Sequence, residues 1–141
     1  MKPCRIAALG AIAVVWTLAA QPRETFKTRL SPVPIDVQLA PTITGRGSVS
    51  AALAGDKLTV GGTFEGMRSA ATAAHLHQSK IIGVPGVMIH ELTVSKAGGG
   101  TISGTVDLTP PEVEALRKGL LYIVVDSTGA PSGNLWGWLL K

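Results

Sequence analysis

Apolar positions in this chain form one long block and then many short alternating segments, with the change near residue 21. Ile6 to Ala20 is apolar apart from mildly polar Thr17, with Lys2 and Arg5 before it. A run of about 15 residues is short of the roughly 20 that a membrane-spanning helix needs, and it suits the apolar core of a signal peptide. Small residues place cleavage after Ala19 or Ala20. Residues 1–20 are therefore read as a leader, with an uncleaved anchor as the alternative. Cys4 precedes the block, so it is not placed to become a lipidated first mature residue.

Beyond the leader, one domain over residues 25–141 is expected, built from short strands. Phe26 and Leu30 suggest a first strand stopped by Ser31-Pro32. Ile35-Asp36-Val37-Gln38-Leu39 alternates as a half-buried strand does, although the prolines around it imply an edge or irregular chain. Gly45 to Phe64 reads as a hairpin. Val49, Ala51 and Leu53 share one parity, Gly55-Asp56 supplies the turn, and Leu58 and Val60 continue beyond it.

Thr72 to Gln78 forms the next strand, followed by a loop from Ser79 to Gly86 in which Pro85-Gly86 signals a type II turn. Val87 to Leu92 alternates without declaring which face is buried. Gly98-Gly99-Gly100 reads as a flexible tip, and Thr101 to Leu108 alternates again. Thr109-Pro110-Pro111-Glu112 starts a helix of about two turns with a T-x-x-E capping box, and Gly119 stops it. Leu120 to Val125 is a nearly continuous apolar strand, read as central and covered on both faces. Asp126 to Gly133 reads as a polar loop, and Leu135 to Leu140 closes the chain. These elements imply an all-β Greek-key sandwich or barrel of about eight short strands with one short connecting helix.

Composition narrows the picture. The chain is 45% hydrophobic but only 4% aromatic, so the core is aliphatic, and 17 glycines with 9 prolines fit many tight connections. Loss of Lys2 and Arg5 with the leader reduces 13 basic residues to 11 against 9 acidic ones, a net charge near +2. No run of Lys or Arg remains, so nucleic-acid binding has no electrostatic footprint. Loss of Cys4, the one cysteine, excludes disulfides, thiolate metal sites and a cysteine nucleophile. Contact with a membrane is expected only through an uncleaved leader.

The chemistry centres on His75 and His77. In a strand, residues i and i+2 share a face, so the two imidazoles project side by side. They can chelate a metal ion or simply hydrogen-bond at a sheet rim. His90 is a candidate further ligand, with a solvent-facing position on another strand as the plainer reading. Trp136 and Trp138 share a parity and can stack a ligand such as a sugar, or cover the core and the sheet edge. Glu112 and Glu114 are read as solvated complements to the helix dipole. No nucleophile elbow, suggestive carboxylate pair or phosphate-cradling glycine motif is present, so no enzyme is expected.

The order of these pieces resembles the chordin-type (CHRD) domain family. Its A-H-I-H strand corresponds to Ala74-His75-Leu76-His77. Its L-T-x-x-x-V-x-A-L-x-x-G helix corresponds to Leu108-Thr109 through Val113, Ala115, Leu116 and Gly119. Its L-Y-V-N-V-H-T strand corresponds to Leu121-Tyr122-Ile123-Val124-Val125 and the residues after it. Its final P-x-G-E-I-R-G corresponds to Pro131-Ser132-Gly133-Asn134-Leu135-Trp136-Gly137. The resemblance covers roughly Phe26 to the C-terminus and implies an extracellular β-sandwich module. The family's later histidine falls on Asp126, and its Glu and Arg fall on Asn134 and Trp136. Asp126 thus stands where a third ligand would, or accepts a hydrogen bond from His75 or His77. The H-x-H strand is also distantly similar to the copper–zinc superoxide dismutase arrangement, an analogy of fold.

The sequence accordingly points to a secreted or periplasmic, non-enzymatic binding or structural module whose partner is a protein or a small ligand. The competing reading is a copper or zinc protein using His75, His77 and Asp126. A dismutase-type enzyme stands third, because redox copper sites of that type draw on more than three histidines.

Overall fold

The computed structural model describes residues 22–34, 37–38 and 40–141. The expected leader lies outside the described residues. So do Ile35, Asp36 and Leu39 of the strand expected at 35–39, whose Val37 and Gln38 sit in a turn rather than a strand.

The strands are β1 (Arg23–Pro32), β2 (Arg46–Ala54), β3 (Lys57–Glu65), β4 (Ala71–Gln78), β5 (Val87–Val94), β6 (Gly100–Asp107), β7 (Leu121–Ser127) and β8 (Ala130–Trp138), with helix α1 (Pro110–Arg117) before β7. They close into an antiparallel barrel in the order β1-β2-β3-β6-β5-β4-β7-β8. The step from β3 to β6 across the β4–β5 pair is the Greek-key crossover. Ser31↔Trp136 and Pro32↔Leu135 close the barrel, reinforced by a bridge between Lys27 and Leu140.

Alternation explains the core. Val49, Ala51 and Leu53 of β2 face inward opposite Leu58 and Val60 of β3, and all are at most 2% exposed. Phe26, Leu30, Phe64, Ile102 and Leu76 complete the interior with residues of β7. As expected, β7 lies between β4 and β8, and every residue in it but Asp126 is buried.

The helix begins as its sequence dictates. The Thr109 hydroxyl accepts from the Glu112 amide, and the Glu112 carboxylate accepts from the Thr109 amide at 2.9 Å. Ala115 and Leu116 enter the core, and Gly119 follows the helix in a left-handed conformation.

Two connections differ from expectation. The turn in the β4–β5 loop is centred on Ile82-Gly83, where the Val84 amide donates to the Ile81 carbonyl and Gly83 has φ +86°. Pro85-Gly86 instead runs back toward the barrel. The segment 126–133 is mostly strand, with β7 and β8 joined through Thr128-Gly129. Its buried polar residue, Ser127, is fully partnered. The Ser127 hydroxyl donates to Asn134 Oδ1 at 2.8 Å and accepts from the Ala130 amide, while Asn134 Nδ2 donates to the Thr44 carbonyl.

Candidate functional site

The pleat of β4 turns Ala74 and Leu76 into the core and leaves His75 and His77 on the outer wall. Register then builds a small array outside β4, β7 and β8. His77 lies opposite Tyr122, which lies opposite Trp138. Along the strands, His75 lies opposite Val124 and Val124 opposite Trp136, with Asp126 opposite Ala73. Asp126 is therefore diagonal to His75, and Asp126 Oδ2 is 3.3 Å from His75 Nδ1.

Aromatic rings cover the rest of this wall. The Tyr122 ring centroid is 4.4 Å from that of Trp138 and 5.1 Å from that of His77, while Trp136 meets Tyr122 edge-on at 5.9 Å. Ring packing of this kind stabilises beyond the area it buries. Trp136 and Trp138 are both half-buried, and Trp136 forms part of a cleft of about 560 Å³. His75, His77, Tyr122 and Asp126 also line this cleft, and its walls include Pro34, Pro85, Gly86, Met88 and Pro131.

Tyr122 links the floor to the loop. Its hydroxyl accepts from the Gly86 amide at 2.7 Å and lies 3.4 Å from His77 Nδ1. With one lone pair taken by Gly86, the phenolic proton can go to an unprotonated Nδ1, which puts the imidazole proton on Nε2. The electrostatics agree. Burial pushes the His77 pKa below its ordinary value, a Gly86 backbone hydrogen bond partly opposes this, and repulsion from His75 adds to it. Burial likewise raises the Asp126 carboxyl, against a smaller opposing attraction from His75. Both shifts disfavour charge on the cleft floor.

His90 is not brought to this site. It pairs with Leu76, so it is carried on the other face of the sheet from His75 and His77, and a β-bulge follows between Leu76 and His77. Its Nε2 lies 3.1 Å from Glu112 Oε2. Glu112 is thus a helix cap and a histidine partner rather than a solvated carboxylate. Burial raises its pKa, but the Thr109 amide and His90 together outweigh that and hold it below the ordinary value.

Two imidazoles and a carboxylate are a donor set that zinc or copper accepts. His75 and His77 are adjacent, with ring centroids 5.9 Å apart. Their Nδ1 atoms already face protein partners. Among the described residues, no three His, Cys, Asp or Glu side chains are arranged to hold a metal ion. Tyr122 and the apolar wall were not singled out from sequence, because a tyrosine in the run Leu120 to Val125 reads as core. Its parity with the His77 and Trp138 positions, once register is known, is the signal that finds it.

No curated protein and no solved structure matches the chain significantly. The family model of the CHRD domain matches residues 14–139. That match spans nearly the whole chain, and the chain belongs to the CHRD domain family.

Proposed function

We propose that this protein is an exported, non-enzymatic binding module that takes a small organic ligand or a short peptide segment in the cleft outside β4, β7 and β8. The observation that carries this reading is the cleft itself. It combines about 560 Å³ of space with a mainly apolar wall and few polar groups, His75, His77, Tyr122 and Asp126, which converge on its floor. Ligand sites have this composition, in which apolar surface supplies affinity and a few polar groups fix orientation. Export rests on the apolar block at residues 6–20 and the basic residues before it.

The test uses an intrinsic reporter. In the protein beginning at Gln21 the tryptophans are Trp136 and Trp138, both on this wall. A library of small aromatic compounds and short peptides is titrated while their emission is followed. Saturable changes that are lost in Trp136→Ala and His75→Ala support the site. A library that leaves emission unchanged, or ligands that act equally on both variants, sinks it.

A second reading, a zinc or copper site, is favoured by the 3.3 Å contact between His75 and Asp126 beside His77. Calorimetric titration with Zn(II) and Cu(II) separates the two readings. Stoichiometric binding that vanishes in the His75→Ala, His77→Ala double variant makes the cleft a metal centre. Weak binding unchanged by those substitutions leaves it an organic-ligand site.

A further inference from the structure

The β4–β5 loop and the start of β5 expose Ile81, Ile82, Val84, Val87 and Met88, each between 48 and 69% accessible. A concentration of this kind in so short a segment is unlike the scattered apolar residues of an ordinary surface. It is also continuous with the far end of the chain. A Cβ at Gly119 would lie 3.4 Å from Ile82 Cδ1 and 2.9 Å from Leu140 Cδ2, so the loop, the end of α1 and exposed Leu140 form one surface.

The charges around this patch are mainly positive. Lys80 and Lys118 flank it in the chain, both exposed, and neither enters any ion pair among the described residues. No Asp or Glu occurs from Ser79 to His90. Glu24, near the C-terminus, is held by both Arg117 and Lys141 at 2.8 and 3.1 Å, so it does not leave a free negative charge there. Other carboxylates on the adjoining elements are Glu112 and Glu114 on α1 and Glu91 farther along β5, and Glu112 is engaged by His90 and the Thr109 amide.

We propose that this patch is a contact site for an anionic lipid surface. The aliphatic tip would enter the headgroup boundary, while Lys80 and Lys118 remain among the phosphates with their stems along apolar neighbours. Its composition favours lipid over a protein partner. Energetic centres of protein interfaces are rich in Trp, Tyr and Arg and poor in Leu and Val, whereas this patch has none of the former and is mainly Ile, Val and Leu with one Met. No helix among the described residues is long and apolar enough to cross a membrane. The patch shares Met88 with the neighbouring cleft but does not require that cleft to be occupied.

All the strands and the buried core lie between Arg23 and Leu140, so the protein beginning at Gln21 retains the whole barrel. That protein is co-sedimented with vesicles of phosphatidylcholine alone and of phosphatidylcholine mixed with phosphatidylglycerol. Binding is expected to the anionic vesicles and to weaken with added salt. Ile81→Ser with Ile82→Ser is expected to reduce it on the order of ten-fold. Lys80→Gln with Lys118→Gln is expected to cost roughly five-fold per lysine removed. These side chains are exposed, so unchanged melting of the variants shows that the barrel is intact. The proposal is overturned if the parent ignores anionic vesicles, or if both double variants bind as it does. It is equally overturned if the parent is a dimer that Ile81→Ser with Ile82→Ser dissolves, which would make the patch a self-association surface.

Discussion

His75 Nδ1 and Asp126 Oδ2 face each other at 3.3 Å across neighbouring strands, with side chains only 18% and 14% exposed. Asp126 nevertheless has a raised pKa, because burial costs its charged form more than His75 returns. An acid with a raised folded-state pKa holds its proton more tightly when folded. Its contribution is therefore fully present below the unfolded value and lost as pH rises through the folded one. Asp126→Asn keeps an acceptor for His75 but removes the charge. The variant is expected to melt a few degrees above the parent at about pH 7, on the order of 1 kcal/mol, with the gap closing toward about pH 4. Thermal melts across that range check it, and a gap that widens on acidification contradicts the assignment.

The hydroxyl of Tyr122 joins strand to loop, so Tyr122→Phe tests that link without emptying the wall. The Gly86 amide loses its acceptor and His77 Nδ1 loses a facing donor. The ring packing against Trp138 is retained. A loss of about 0.5–1.5 kcal/mol is expected, the usual net value of such a bond. Chemical denaturation measures it. Nitrogen chemical shifts of His77 should show its tautomer preference weakened in the same variant.

His77 itself should titrate below the ordinary histidine range, chiefly because it is buried. A depressed histidine pKa means that the unfolded chain takes up its proton first. The contribution is present above the unfolded value and is lost as pH falls through it toward the folded one. Proton NMR titration reads the pKa directly. Replacing His77 with Gln should flatten that part of the stability profile, whereas a His77 titrating above the ordinary range would remove the basis for a neutral cleft floor.

Much of this arrangement was legible because it is local or strictly periodic. The capping box at Thr109 and Glu112 needs residues three apart, and the β2–β3 hairpin carries its parity openly in Val49, Ala51, Leu53, Leu58 and Val60. The shared face of His75 and His77 follows from the same period of two. What could not be read depends on partners distant in sequence. Ser127 and Asn134 look like loop residues, yet both are fully buried because each satisfies the other and nearby backbone. His90 could not be assigned to a face, since its position depends on pairing with β4 and on the bulge beside it. The cleft was hidden for the same reason. Its walls come from segments around residues 33, 85 and 131, which only barrel closure and the loop's fold bring together.

Gly86 and Gly61 provide the sharpest contrast for the loop that forms one wall of the cleft. A Cβ on Gly86 would run into the Gln78 carbonyl and come within 2.7 Å of Ser79 Cα, both backbone atoms that no rotamer change can move aside. Gly61, in the middle of β3, has nothing within 4 Å of the same position. Gly86→Ala must therefore push the loop off β4, strain its bond to Tyr122 and open the cleft. Gly61→Ala adds only a methyl to solvent and reduces the freedom of the unfolded chain. Gly86→Ala is expected to cost on the order of 2 kcal/mol or more, as overpacking against a fixed backbone does. Gly61→Ala is expected to be neutral or to stabilise by about 0.4–1 kcal/mol. Denaturation midpoints decide between these values, and Trp136 emission reports whether the cleft has changed. Equal stability of the two variants would mean that the loop is not seated against β4, and that the cleft wall it forms does not exist in solution.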